Sequence, residues 1–142
     1  MNIDALKGYI DPHARHNLIF ADSEIEGLEY VDVGKELAKV LANSTDAALV
    51  ADQELNAILS SHTHEANGIG RYVAIRNLGI LFEPELALNV HDKLAGVSKE
   101  TVLIVKMEGC ITDDEFHFYG VDSDRCTVSL RDIAYKTILM NQ

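Results

Sequence analysis

The stretch Thr101–Met107 (TVLIVKM) limits the folds open to this chain more than any other. It is rich in β-branched residues and almost continuously apolar, without the polar alternation of a half-exposed strand. That pattern belongs to a central strand covered on both faces, as in a mainly parallel sheet. A chain built around such a strand needs further strands beside it and helices to cover it.

The rest of the sequence supplies them. Asn17–Ala21 (NLIFA) is apolar and too short for a helix, so it reads as a buried strand. Leu28–Val33 (LEYVDV) alternates and its Tyr and Val suit a second strand, and Arg71–Ile75 reads as a third. Between them, Gly34 opens a helix in which Leu37, Val40 and Leu41 recur at helical spacing, with Asn43 at its end. Asp46 caps another helix through Ser61, with Leu49, Val50, Leu55, Ile58 and Leu59 as its apolar face. Asn89 caps one through Val97, with Val90, Leu94 and Val97 inward. A short helix over Asn2–Ile10 stops at Asp11-Pro12.

Ser61–Gly70 reads as a polar loop. Leu78–Phe82 reads either as a strand continuation or as one helical turn, stopped by Pro84. Beyond Gly109 the pattern changes to a hairpin turning at Thr112-Asp113-Asp114, expected to extend one sheet edge antiparallel. Ser129 with Asp132 resembles a capping box opening a last helix that bears Ile133, Ile138 and Leu139. The expected fold is α/β: a mainly parallel sheet with helices on both faces and a C-terminal antiparallel hairpin.

At 142 residues the chain fits one domain, since domains commonly run to about 100–150 residues. No window reaches about 18 uninterrupted apolar residues and the N-terminus has no signal-peptide layout, so a cytoplasmic protein without a membrane partner is expected. Cys110 and Cys126 are expected as reduced, partly buried thiols. A net charge of −11 disfavours direct binding to nucleic acid, which needs clustered cations. The acids are spread along the chain, as on a well-solvated surface, although such a surface also suits a basic partner.

Three places in the sequence could carry chemistry. A phosphate loop needs G-x-x-x-x-G-K-[ST], and Gly34-Lys35 is the only Gly-Lys pair. Glu29 stands at the first glycine and Glu36 at the metal-binding hydroxyl, so both positions repel an anion. Gly34 and Lys35, with Arg76, are left as weak anion-site candidates at a helix N-terminus. His62 and His64 with Glu65, and His13 with His16, are ligand-like clusters in polar segments, yet neither supplies the three or four ligands of a zinc site. No metal or other cofactor is expected. Cys110 follows a glycine at a strand end, but Glu108, Asp113 and Asp114 nearby would suppress its thiolate. No catalytic constellation is visible.

Three blocks carry a family resemblance. Glu29–Leu41 (EYVDVGKELAKVL), Arg76–Leu86 (RNLGILFEPEL) and Thr101–Gly109 (TVLIVKMEG) resemble the later part of the small P-loop protein, BrxF-like, of type 3 bacteriophage-exclusion defence systems. The most specific piece is Leu81–Leu86 (LFEPEL). The resemblance implies a P-loop-NTPase-like sheet. It does not extend to the activity: no glycine-rich loop precedes Asn17–Ala21, and Arg76 stands where the family places a metal-side aspartate. It therefore implies a degenerate, non-hydrolysing relative that binds another component of a defence or mobile-element system.

Three functions are compatible with these residues. One is a non-catalytic interaction protein working through a protein partner or a homodimer, with Leu78, Leu81 and Phe82 as candidate interface. Another is a nucleotide or small-molecule binder using the carboxyl ends of the strands near Gly34, Arg76 and Glu108. The third is an acidic inhibitor of a nucleic-acid enzyme.

Overall fold

A computed structural model describes residues 1–119 and 126–140. Its elements are α1 (Ile3–Leu6), β1 (Leu18–Ala21), β2 (Tyr30–Asp32), α2 (Val33–Leu41), α3 (Ala47–Ser61), β3 (His64–Ala66), β4 (Gly70–Arg76), α4 (Val90–Glu100), β5 (Val102–Lys106), β6 (Gly109–Thr112), β7 (Glu115–Phe118), β8 (Thr127–Ser129) and β9 (Tyr135–Ile138). Five strands pair in parallel in the order β2-β4-β5-β1-β9, and β3 adds antiparallel to β4. The mainly parallel sheet with helices is the architecture the apolar run Thr101–Met107 requires.

Strand periodicity explains the two cores. Leu18, Phe20, Val73, Ile75, Leu103 and Val105 point to one face, where they meet Leu37 of α2, Leu55 of α3 and Leu94 of α4. The intervening Ile19, Ala21, Tyr72, Ala74, Val102 and Ile104 point to the other, under Leu6 of α1 and Ile25. Helices thus lie on both faces, three of them on the first and the short α1 on the second.

The connections obey one chirality. From β2 the chain steps toward β4, then β5, then past β1 to β9, each time over the face that α2, α3 and α4 cover. From β1 to β2 it steps the opposite way and crosses the opposite face, where Ile25 and Leu28 pack. Reversing both direction and face preserves the hand, as the rule for parallel crossovers demands. The connection after β1 contains no helix. It is held over the sheet by two tyrosines, since Ile25 N–H donates to Tyr30 Oη at 2.9 Å and Glu29 N–H to Tyr72 Oη at 3.0 Å.

The C-terminal third departs from the sequence reading. β6 and β7 do form the expected hairpin, and Asp113 and Asp114 both take positive φ (53° and 57°), as a tight two-residue turn needs. The hairpin does not extend the main sheet; with β8 it forms a separate three-stranded sheet over the α2–α4 face. The expected last helix is instead β9, paired in parallel with β1. Ile133 belongs to one core and Ile138 to the other, which a single helical stripe does not allow. Ser129 Oγ accepts from Arg131 N at 3.4 Å, a local turn in place of a helix cap.

Smaller differences have local causes. The polar loop after α3 contains β3, which folds back on β4 through Asn67-Gly68, with Gly68 at φ +85°. Leu78–Phe82 resolves to a single 3₁₀ turn over Gly79–Phe82. Leu49, expected inward on α3, is 77% exposed, and Ala51 takes the buried position.

Candidate functional site

The carboxyl ends of the parallel strands bring the sequence-derived anion candidates together. β2 ends at Asp32, in register with Arg76 at the end of β4. The chain enters α2 at once, so Gly34 and Lys35 lie in the first turn of that helix. This is the only strand in the described chain that runs directly into a helix of more than two turns.

One amide of the helix N-terminus is engaged from within. Asp32 is its N-cap, and Oδ1 accepts from the Lys35 amide at 2.8 Å. The same oxygen accepts from Asn77 Nδ2 at 2.7 Å. These two hydrogen bonds, the Lys35 amide first, hold the Asp32 carboxyl below its ordinary range, with Arg76 and Lys35 adding attraction. The amide that an incoming anion would use is engaged by a resident carboxylate.

Gly34 is required for a reason other than phosphate. A Cβ there would lie 2.5 Å from Asn77 Nδ2 and 2.9 Å from the Asn77 carbonyl oxygen. Asn77 itself sits at φ 61°, a left-handed conformation that asparagine tolerates better than most residues. The side chain of Arg76 reaches Glu24, its Nη1 3.8 Å from Oε2, both about half exposed. An exposed pair of this length contributes little.

Next along the edge, Glu108 follows β5. Its Oε1 accepts from the Leu78 amide at 3.0 Å and its Oε2 from Tyr119 Oη at 3.3 Å. The negative charge of Glu108 pushes the Tyr119 hydroxyl pKa up. Beyond it Asp22 follows β1 and its Oδ1 accepts from the Met140 amide at 2.8 Å, so Asp32, Glu108 and Asp22 along this edge each bond a backbone amide of the chain itself. That arrangement orders the turns at this edge.

Two of the three interface candidates are buried. Leu78 and Leu81 are 3% and 5% exposed and belong to the core of the α2–α4 face. Phe82 is half-buried, 5.3 Å from Phe118 and 6.4 Å from Phe116 between ring centroids. Phe82 thus packs against β7 of the small sheet, a contact hidden as long as the hairpin is expected at a sheet edge.

Among the described residues no three His, Cys, Asp or Glu side chains gather as a metal site. His64 pairs with Glu29 at 3.0 Å, His62 Nδ1 lies 2.9 Å from the Ile58 carbonyl, and His16 is buried beside β9. Cys110 and Cys126 are unpaired and partly exposed. No helix of the described chain is long and apolar enough to cross a membrane.

Sequence reasoning missed Asp32 and Asn77. Asp32 carried a usable signal, an acid immediately before a helical apolar pattern, but it was absorbed into the strand Leu28–Val33. Asn77 carried none, because its contact with Asp32 spans 45 positions. Comparison of the chain with protein-family models, curated proteins and solved structures finds no match.

Proposed function

We propose that the chain is a non-catalytic, P-loop-like accessory protein that works by binding another protein. The observation that carries this reading is the Asp32 carboxylate seated on the α2 amide, where a phosphate-binding version of the same strand-to-helix turn would leave the amides open. The connection after β1, strapped down by Tyr30 and Tyr72, contributes no second helix N-terminus. The resemblance of the Leu81–Leu86 segment gives the setting, a bacteriophage-defence or mobile-element system.

Isothermal titration with ATP–magnesium tests it. The expected result is no binding tighter than about 50 μM, corresponding to roughly 6 kcal/mol. Tighter binding, or any turnover, would remove the reading.

Small-molecule binding is the second reading, and one feature favours it. A cleft of about 650 Å³ separates α3 from α4, over the amino ends of β4 and β5. Lys93 crosses it to Asp52 at 2.7 Å and Asn56 at 2.5 Å, and Gly96 faces open space. The lining is largely polar, unlike the apolar walls of most ligand pockets.

A further inference from the structure

We propose that the outer edge of β9 accepts an extended, acidic peptide strand from a partner protein, an inference that rests on the interaction reading above and names its surface. β9 ends the main sheet, and among the described residues it pairs with β1 alone. The Ile138 carbonyl accepts from Asp22 N–H at 3.1 Å and so points toward β1. Backbone direction alternates along a strand, so Lys136 also addresses β1, while the amides and carbonyls of Tyr135 and Thr137 point outward. An outward row of this kind is a template for another strand.

A cleft of about 630 Å³ runs along this edge, with Ala134–Thr137 as its floor. One wall is Leu130 and Ile133, which pack into the α2–α4 core; the other is Tyr9, which packs on the opposite face. A strand added to β9 would therefore lie between two walls, one for each set of its alternating side chains.

Charge selects the occupant. The chain holds 12 Lys and Arg against 23 Asp and Glu, yet Arg131 and Lys136 both line this cleft. Its one carboxylate, Asp114, accepts from the Tyr135 hydroxyl at 2.7 Å, so the two cations outnumber it in the lining. A second copy of the chain would bring the same two cations against themselves, whereas an acidic strand meets Arg131 and Lys136 directly.

The test is a titration of the ¹⁵N-labelled full chain with a blocked peptide that alternates valine and glutamate over about eight residues. Main-chain pairing is tolerant of sequence, so this probe suffices. Binding should shift the Tyr135 and Thr137 amide resonances and slow their hydrogen exchange. Thr137→Pro removes an outward donor while leaving the inward ladder of Lys136 and Ile138, and should weaken binding about fivefold. Should that variant fold poorly, Lys136→Glu serves instead, weakening the acidic peptide and favouring its lysine counterpart.

No peptide binding at millimolar concentration would overturn the proposal. So would shifts confined to other surfaces, which leave the interaction reading standing, and so would concentration-dependent protection of the same amides in the chain alone with a doubled mass. ATP binding, by contrast, would remove the accessory-protein reading without touching the strand-edge result.

Discussion

Asp32 Oδ1 lies 2.7 Å from Asn77 Nδ2 and 2.8 Å from the Lys35 amide, so one oxygen closes α2 and ties the end of β2 to the residue following β4. Two strand ends that a ligand-binding α/β protein leaves open are joined here by the chain itself. The contact makes the carboxyl edge a structural joint, and its strength is measurable.

Asp32→Ala should cost about 1 kcal/mol, within the 0.5–2 kcal/mol range of lost N-caps. The Asp32 pKa is lowered in the fold from 3.8, so its contribution is present above that value and is lost as pH falls through the lower, folded one. Urea unfolding of both proteins should show the full gap near about pH 7 and a closing gap in acid. A gap that ignores acid would assign the loss to packing alone.

Gly34→Ala sets two effects against each other. Alanine is favoured over glycine inside helices by about 1 kcal/mol. Here its Cβ would meet Asn77 atoms at 2.5 to 2.9 Å, and overpacking of that kind costs about 1–3 kcal/mol. Net destabilisation is expected, and Asn77→Gly in the same chain should relieve only the side-chain part of it, because the backbone carbonyl of residue 77 stays 2.9 Å away and the bond to Asp32 is lost. A stabilised single variant would mean that Asn77 moves aside freely.

Long apolar strands were legible because one pattern decides them: Thr101–Met107 is so uniformly apolar that only a two-faced burial suits it, and the register of β5 bears this out. Tyr135–Ile138 was not, since Ile133, Ile138 and Leu139 fit a helical stripe as well as a short strand, and only pairing with β1 separates the two. The joint at Asp32 was half legible. Its cap is local, but its Asn77 partner depends on β2 and β4 becoming neighbours.

Ile104→Ala and Leu49→Ala test the burial assignment as a pair. Ile104 is 0% exposed in the centre of β5 and should lose about 2–5 kcal/mol through lost transfer energy and a cavity. Leu49, apolar on the same sequence grounds but 77% exposed, should change stability by less than about 0.5 kcal/mol. Chemical denaturation midpoints decide both, and similar costs at the two positions would contradict the fold.

His16 should make the chain acid-sensitive in the range where histidines titrate. It is 4% exposed, and its Nδ1 accepts from the Ala134 amide at 3.4 Å, tying the segment before β1 to the entry of β9. That bond needs an unprotonated Nδ1. Burial is the largest cause lowering its pKa from 6.5, and Lys99, Arg15 and His91 add repulsion. The unfolded chain therefore binds this proton more readily than the folded one, and stability must fall as pH drops below 6.5 toward the folded value. His16→Asn keeps an acceptor for Ala134 but cannot titrate. It should be less stable than the parent at about pH 8 through lost packing, and the difference should shrink by about pH 5 as the parent pays for its proton. Guanidine unfolding at the two pH values measures this, and a difference that stays constant would show that His16 does not couple protonation to the seating of β9.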